Sequence, residues 1–92
     1  MIPIRENLKK SGWYYRLIHR EDDVAIFEQT KTGIKGTWYE VVVVQRHDGY
    51  EIGGQKMPAA EHLPSSEQWG KLGFTCLDKA AAFERAGELA LR

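Results

Sequence analysis

The stretch Thr37-Trp38-Tyr39-Glu40-Val41-Val42-Val43-Val44-Gln45-Arg46 decides the fold. β-Branched and aromatic side chains follow one another here, and such residues fit a pleated surface better than a helix. Successive side chains of a strand point to opposite faces, so four valines in a row require apolar surroundings on both. The stretch is expected to be a central strand.

Toward the N-terminus, Lys31 to Gly36 carries two glycines and two lysines without periodicity and reads as a loop. Before it, Val24, Ile26 and Glu28 alternate with Ala25, Phe27 and Gln29. Trp13 to His19 places Tyr15 and Leu17 on one side and Tyr14, Arg16 and Ile18 on the other. The acidic run Glu21-Asp22-Asp23 makes a polar turn between these two segments, so an antiparallel hairpin is expected. Residues 1–12 are polar and basic, end on Ser11-Gly12, and read as a basic arm leading into a single domain over 13–92.

Toward the C-terminus, Tyr50-Glu51-Ile52 and Gln55-Lys56-Met57 flank Gly53-Gly54. That pair supplies positive φ at both central positions of a two-residue turn, which predicts a small projecting ribbon, Tyr50 to Met57. Pro58 to Gly73 reads as an irregular loop with one helical turn started by Ser66, its Trp69 indole anchoring the loop to the body. Thr75-Cys76-Leu77-Asp78 fits a capping pattern, predicting a helix over about Leu77 to Leu91. On it Leu77, Ala80, Phe83, Gly87 and Ala90 form the expected apolar stripe, with Asp78, Arg85, Glu88 and Arg92 on the opposite arc. The expected class is α+β: a twisted antiparallel β-sheet of three main strands plus a short ribbon, packed against one C-terminal α-helix. One helix covers one sheet face and leaves the other exposed or paired.

At 92 residues the chain has room for one core. Thirteen Lys and Arg cancel thirteen Asp and Glu, which removes the net attraction that nucleic-acid and anionic-membrane binders usually carry. Val41 to Val44 is the longest aliphatic run, far short of the roughly 20 residues that cross a bilayer, and a cytoplasmic protein is expected. A single cysteine, Cys76, excludes an internal disulfide and a multi-cysteine zinc site.

Tyr39-Glu40-Val41-Val42 and the later Leu63-Pro64-Ser65-Ser66-Glu67-Gln68-Trp69-Gly70-Lys71-Leu72-Gly73-Phe74-Thr75, followed by an Ala-rich helix, resemble a type of small uncharacterised protein encoded by bacteriophages and prophages. The likeness covers about residues 13–90 and implies a strand meander linked to a terminal helix, with no enzymatic motif. In size, charge and build such proteins are similar to anti-CRISPR and other anti-defence inhibitors. The resemblance implies the cytoplasm of a host bacterial cell as the setting.

No chemical motif competes with this. His19, His47, His62 and Cys76 do not fall in the close pairs that zinc sites use, so no metal or other cofactor is expected. Cys76 near a helix N-terminus could be an activated thiol, but a packed thiol beside Leu77 is the plainer reading. Glu21, Asp22 and Asp23 lack the alternating ligand pattern of a calcium loop, and Gly33-Ile34-Lys35-Gly36 lacks the helical flanks of an RNA-binding KH loop. No acid, base and nucleophile fall at spacings that these elements bring together, and an enzyme is not expected.

Aromatic side chains next to cations carry the functional expectation. Tyr14 and Tyr15 cannot both point inward, nor can Trp38 and Tyr39, so large aromatics must lie on the face without the helix. Residues 1–20 carry a net charge of +4 and residues 21–30 a net charge of −4, a dipolar surface suited to a partner with its own charge pattern. The expected function is non-catalytic binding and steric blocking of a bacterial protein or ribonucleoprotein complex. Tyr14, Arg16 and Trp38 are its expected anchors, with Arg20, Lys31 and Lys35 at the rim. The alternative is a small single-stranded nucleic-acid module using the same face, with Arg5, Lys9 and Lys10 on phosphates. Back-to-back packing of two sheets in a homodimer would consume that face as well.

Overall fold

Val41 and Val42 are both completely buried, on opposite faces of their strand, as are Ile26 and Phe27 on the strand beside it. Two buried layers on one sheet require something to cover each. The computed structural model describes residues 1–91 and shows what does so.

Five antiparallel strands form the main sheet: β1 (Asn7–Lys10), β2 (Trp13–Glu21), β3 (Val24–Thr30), β4 (Trp38–Val43) and β9 (Gly73–Cys76), in the order β1-β2-β3-β4-β9. Two small sheets accompany it, β5 (Gln45–His47) with β8 (Ala60–His62), and β6 (Tyr50–Ile52) with β7 (Gln55–Met57). A 3-10 turn spans Ser66–Gln68, and helix α1 spans Lys79–Ala90. The α+β class holds. Three strands were not legible in advance, β1, β8 and β9, and β5 was read as the end of the central strand.

The strand read over 37–46 breaks at Val44. Its N–H bonds to the Asp23 carbonyl at 2.6 Å, and the chain then leaves the main sheet to pair as β5 with β8. β4 is an interior strand, and β3 is the middle one. A bulge between Leu17 and His19 shifts the β2 register, so that Ile18 packs into the helix-side core while the His19 ring meets Phe83 at 4.9 Å.

One face of the sheet carries Val24, Ile26 and Val41 against Ala82, Ala86 and Leu89 of α1. Small alanines let the helix backbone approach the strands closely. Asp78, in extended conformation, caps the helix by accepting from the Ala81 N–H at 2.7 Å. The cap expected at Thr75 is therefore three residues early, because Thr75 belongs to β9 and pairs with Glu40. The apolar stripe also differs from the expected one: Leu77 is 78 % exposed and Phe83 is 40 % exposed, outside the buried core. In an Ala-rich helix several arcs look equally apolar, and Leu89 selects the one that docks. Arg92 lies outside the described residues.

The other face carries Ala25, Phe27, Val42 and Val44, and it is covered by Ile4, Leu8, Tyr15, Leu17 and Leu63. Residues 1–12, read from sequence as an arm, are thus built into the body. Ile2 bridges Ala60, with its N–H on the Ala59 carbonyl at 2.9 Å and its carbonyl taking the Glu61 N–H at 2.7 Å. Asn7–Lys10 then pairs with Trp13–Arg16 as the sheet edge.

Glu61 fastens this second layer. Its carboxylate accepts two bonds from the Arg20 guanidinium at 2.7 Å each, one from Arg46 at 3.1 Å, and one from the Ile4 N–H at 3.3 Å. Arg46 also binds Asp23 at the β2–β3 turn. Paired mainly with Arg20, the Glu61 carboxyl is held at about 2, well below its usual 4.5.

A depressed carboxyl pKa contributes stability that is complete above about 4.5 and is lost as pH falls toward about 2. Urea unfolding across that interval is expected to show an acid limb that Glu61→Gln flattens. At neutral pH the same substitution is expected to cost roughly 1–3 kcal/mol, since it removes the charge and one of the two acceptor oxygens that Arg20 and Arg46 share.

Candidate functional site

The six residues singled out from the sequence do not share a surface. Tyr14 and Arg16 fall in register with Thr30 and Glu28, on the helix side of the sheet, whereas Trp38 pairs with Gln29 on the opposite side. Tyr14 is exposed, with the Lys9 ammonium 5.1 Å from its ring centre. Arg16 spans to Glu28 at 3.2 Å, and Arg20 is held by Glu61. Lys31 lies 5.5 Å over the Trp13 ring, and Trp13 meets Trp38 edge to face at 5.4 Å. Lys35 is exposed on the loop before β4. The expected dipole is reduced as well: Arg16 pairs with Glu28 across β2 and β3, Arg20 is taken by Glu61, and Asp23 by Arg46.

A different group is brought together on the face away from the helix. Alternation from Val42 puts Glu40 in the apolar layer, in register with Phe27 on β3 and Thr75 on β9. Tyr15 lies nearby on β2, accepting from the Gln29 amide at 3.2 Å, which leaves its own hydroxyl hydrogen free to donate. Leu8 and Lys10 approach from β1, and Leu63 and Pro64 from the loop after β8. Together with Trp69 these residues line a cleft of about 370 Å³.

Trp69 owes its place to a missing side chain. Its ring lies so close over Gly73 that a Cβ there would sit 2.4 Å from the indole carbons. The indole N–H donates to the Thr75 hydroxyl at 3.2 Å, and the Gly70 N–H bonds to the Gly73 carbonyl at 2.7 Å. The segment Trp69-Gly70-Lys71-Leu72-Gly73 is thus a closed loop that lays an aromatic plate beside Glu40. That indole does anchor the 58–73 loop, on β9.

Among the described residues Glu40 makes no hydrogen bond and no ion pair. Burial raises its carboxyl above its ordinary value, with the Lys10 charge pulling the other way. Burial, and then the Glu40 charge, likewise raise the Tyr15 hydroxyl. Burial also pushes the Cys76 thiol up, where it packs against the helix-side core rather than being activated by the helix end. No cluster of three or more His, Cys, Asp or Glu suited to a metal occurs among the described residues, and no helix there is long and apolar enough to cross a membrane.

Glu40, Tyr15, Leu63 and Trp69 were not identified as a site in the sequence. Glu40 carried a signal nonetheless: it alternates with Trp38, Val42 and Val44, so it is an acid on a face that the pattern makes apolar. No protein-family model, curated protein or solved structure matches this chain.

Because Glu40 is a half-buried charge without a partner, Glu40→Leu is expected to raise stability by ~1 kcal/mol at neutral pH, read by urea unfolding. The gain should shrink as pH falls and Glu40 takes up its proton, since a raised carboxyl pKa penalises the folded state only where the group is charged. Gly73→Ala is expected to eject the Trp69 ring and cost ~1–3 kcal/mol, with tryptophan emission shifting to the red.

Proposed function

We propose that the chain is a non-enzymatic, phage-type interaction protein that binds a bacterial protein or ribonucleoprotein complex and blocks it sterically, with anti-CRISPR inhibition as the most concrete form. The β6–β7 ribbon carries this reading. A two-stranded hairpin is marginally stable in water by itself, yet this one forms a sheet of its own with all six strand residues exposed. Tyr50 stands opposite Met57 and Ile52 opposite Gln55, so Tyr50, Ile52 and Met57 share one face while Glu51 and Lys56 take the other. Three large apolar side chains on a ribbon are unfavourable in water, and a partner surface relieves that. Tyr and Met are also among the residues that interface cores prefer.

The nucleic-acid alternative has the Trp13 and Trp38 corner in its favour, since π faces beside a cation stack single-stranded bases. Of its cations Arg16 is engaged by Glu28 and Arg20 by Glu61, whereas Arg5, Lys9, Lys10, Lys31 and Lys35 take part in no ion pair among the described residues. The chain's net charge of zero supplies no general attraction for a phosphate backbone, so protein binding is preferred.

Expression of the chain in CRISPR-immune bacteria is expected to restore phage plaques. The double substitution Ile52→Asp, Met57→Asp should abolish that effect while the circular dichroism of the sheet stays unchanged, because neither side chain lies in the core. Unchanged plaquing with the original chain overturns the inhibitor reading, and full activity of the double variant removes the ribbon from it. Salt-sensitive capture of isolated single strands without a plaque effect supports the nucleic-acid reading instead.

A further inference from the structure

Glu40 occupies a position that strand alternation assigns to the apolar layer, in register with Phe27. Its side chain is half-buried, it lacks an internal partner, and its oxygens open on the cleft rather than being sealed in the core. Around it the cleft offers the Tyr15 ring and hydroxyl, the Trp69 indole, and the aliphatic walls of Leu8 and Leu63. The volume of about 370 Å³ is at the lower end of the range for small-molecule sites.

We propose that this cleft binds a compact organic cation, an alkylammonium or alkylguanidinium group, with Glu40 as its counter-ion and Trp69 and Tyr15 as its π surfaces. A carboxylate in apolar surroundings gains more from an opposite charge than one in water, because the dielectric is lower and solvent competes less. Aromatic faces attract the same charge through their quadrupoles, and the aliphatic walls accept the alkyl stem. An anion would meet the Glu40 carboxylate at close range. A neutral apolar ligand would leave that carboxylate buried without a partner. A hard metal ion would need several oxygen ligands where the cleft supplies one carboxylate.

Lys10 is the one basic side chain on the cleft lining. It is exposed on the edge strand and is not paired with Glu40. Its ammonium competes with an incoming cation at the rim. The cationic group can belong to a free small molecule or to a lysine or arginine side chain of a partner protein, and the two sources call for separate probes.

The test is an NMR titration of the full chain, following the Trp69 indole N–H, which Trp69→Phe identifies among the three tryptophans. The probes are n-butylammonium, n-butylguanidinium, butyrate, butanol, and capped tripeptides centred on lysine or arginine. Saturable shifts with the cations, absent with butyrate and butanol, are expected. Glu40→Gln should weaken binding about tenfold or more without lowering stability, so that loss of binding is not loss of fold. Lys10→Met, which keeps the stem, should leave binding equal or tighter. Peptide binding at least as tight as that of the free amines assigns the cation to a partner side chain, and binding of the free amines alone assigns it to a small molecule. The proposal is overturned by the absence of saturable shifts, by Glu40→Gln binding as well as the original chain, or by Lys10→Met losing the ligand.

Discussion

A single carboxylate closes the second face of this sheet. Glu61 receives Arg20 from β2, Arg46 from β5 and the backbone of Ile4, so three separate parts of the chain meet on two oxygens. The interaction is short-range and largely shielded from water, since the Glu61 side chain is only 9 % exposed. Charge-assisted bonds in such a place have directional strength that apolar contacts lack. Everything laid over that face depends on it: Ile4 and Leu8 over Phe27, the β5–β8 pair, and the loop that brings Leu63 to the cleft.

The two faces of the sheet are held by different physics. On the helix side, Ala82, Ala86 and Leu89 dock onto Val24, Ile26 and Val41 through packing alone. Any modest rotation of α1 would present another set of small residues, so its register rests on the Asp78 cap and on Leu89. On the other side a polar hub fixes the position of the covering layer, and an unpaired acid is tolerated inside it at Glu40. A layer held by directional bonds can keep a cleft open where a layer held by burial would tend to collapse into it.

The meander was legible in the sequence because its periods are short and its turns are marked. The valines of β4, the alternation of β3, the acidic β2–β3 turn and the Gly53-Gly54 ribbon each follow from local chemistry; each element formed, although β4 ends at Val43 and Glu21 closes β2 rather than lying in the turn. β1 and β8 were missed for the opposite reason, and β9 because its Thr75 fits a helix cap. Asn7-Leu8-Lys9-Lys10 and Ala60-Glu61-His62 are short, polar and poor in β-branched residues, and only a distant partner makes them strands. The candidate surface failed on geometry rather than on residue type: Tyr14, Arg16 and Trp38 were sound choices as chemistry, but strand alternation sends them to opposite sides. The segment Trp69 to Gly73 shows what a spacing can conceal, since its second glycine proved to be the floor beneath an indole.

The bond from the Ile4 N–H to the Glu61 carboxylate joins residues 57 positions apart, and Ile2 reaches similarly far along the chain in its backbone bridge to Ala60. A chain synthesised from its N-terminus presents these two isoleucines long before their partners exist. The β2–β3–β4 meander has only neighbouring segments to find, so it can form while Ile2 and Ile4 are still unpartnered. Loop closure then comes late and slowly, because the entropy of bringing distant segments together is lost before the contacts return it. Until Glu61 arrives, Phe27 and Val42 face water on a sheet that is otherwise assembled, and that interval is when the nascent protein is most exposed to capture by other chains.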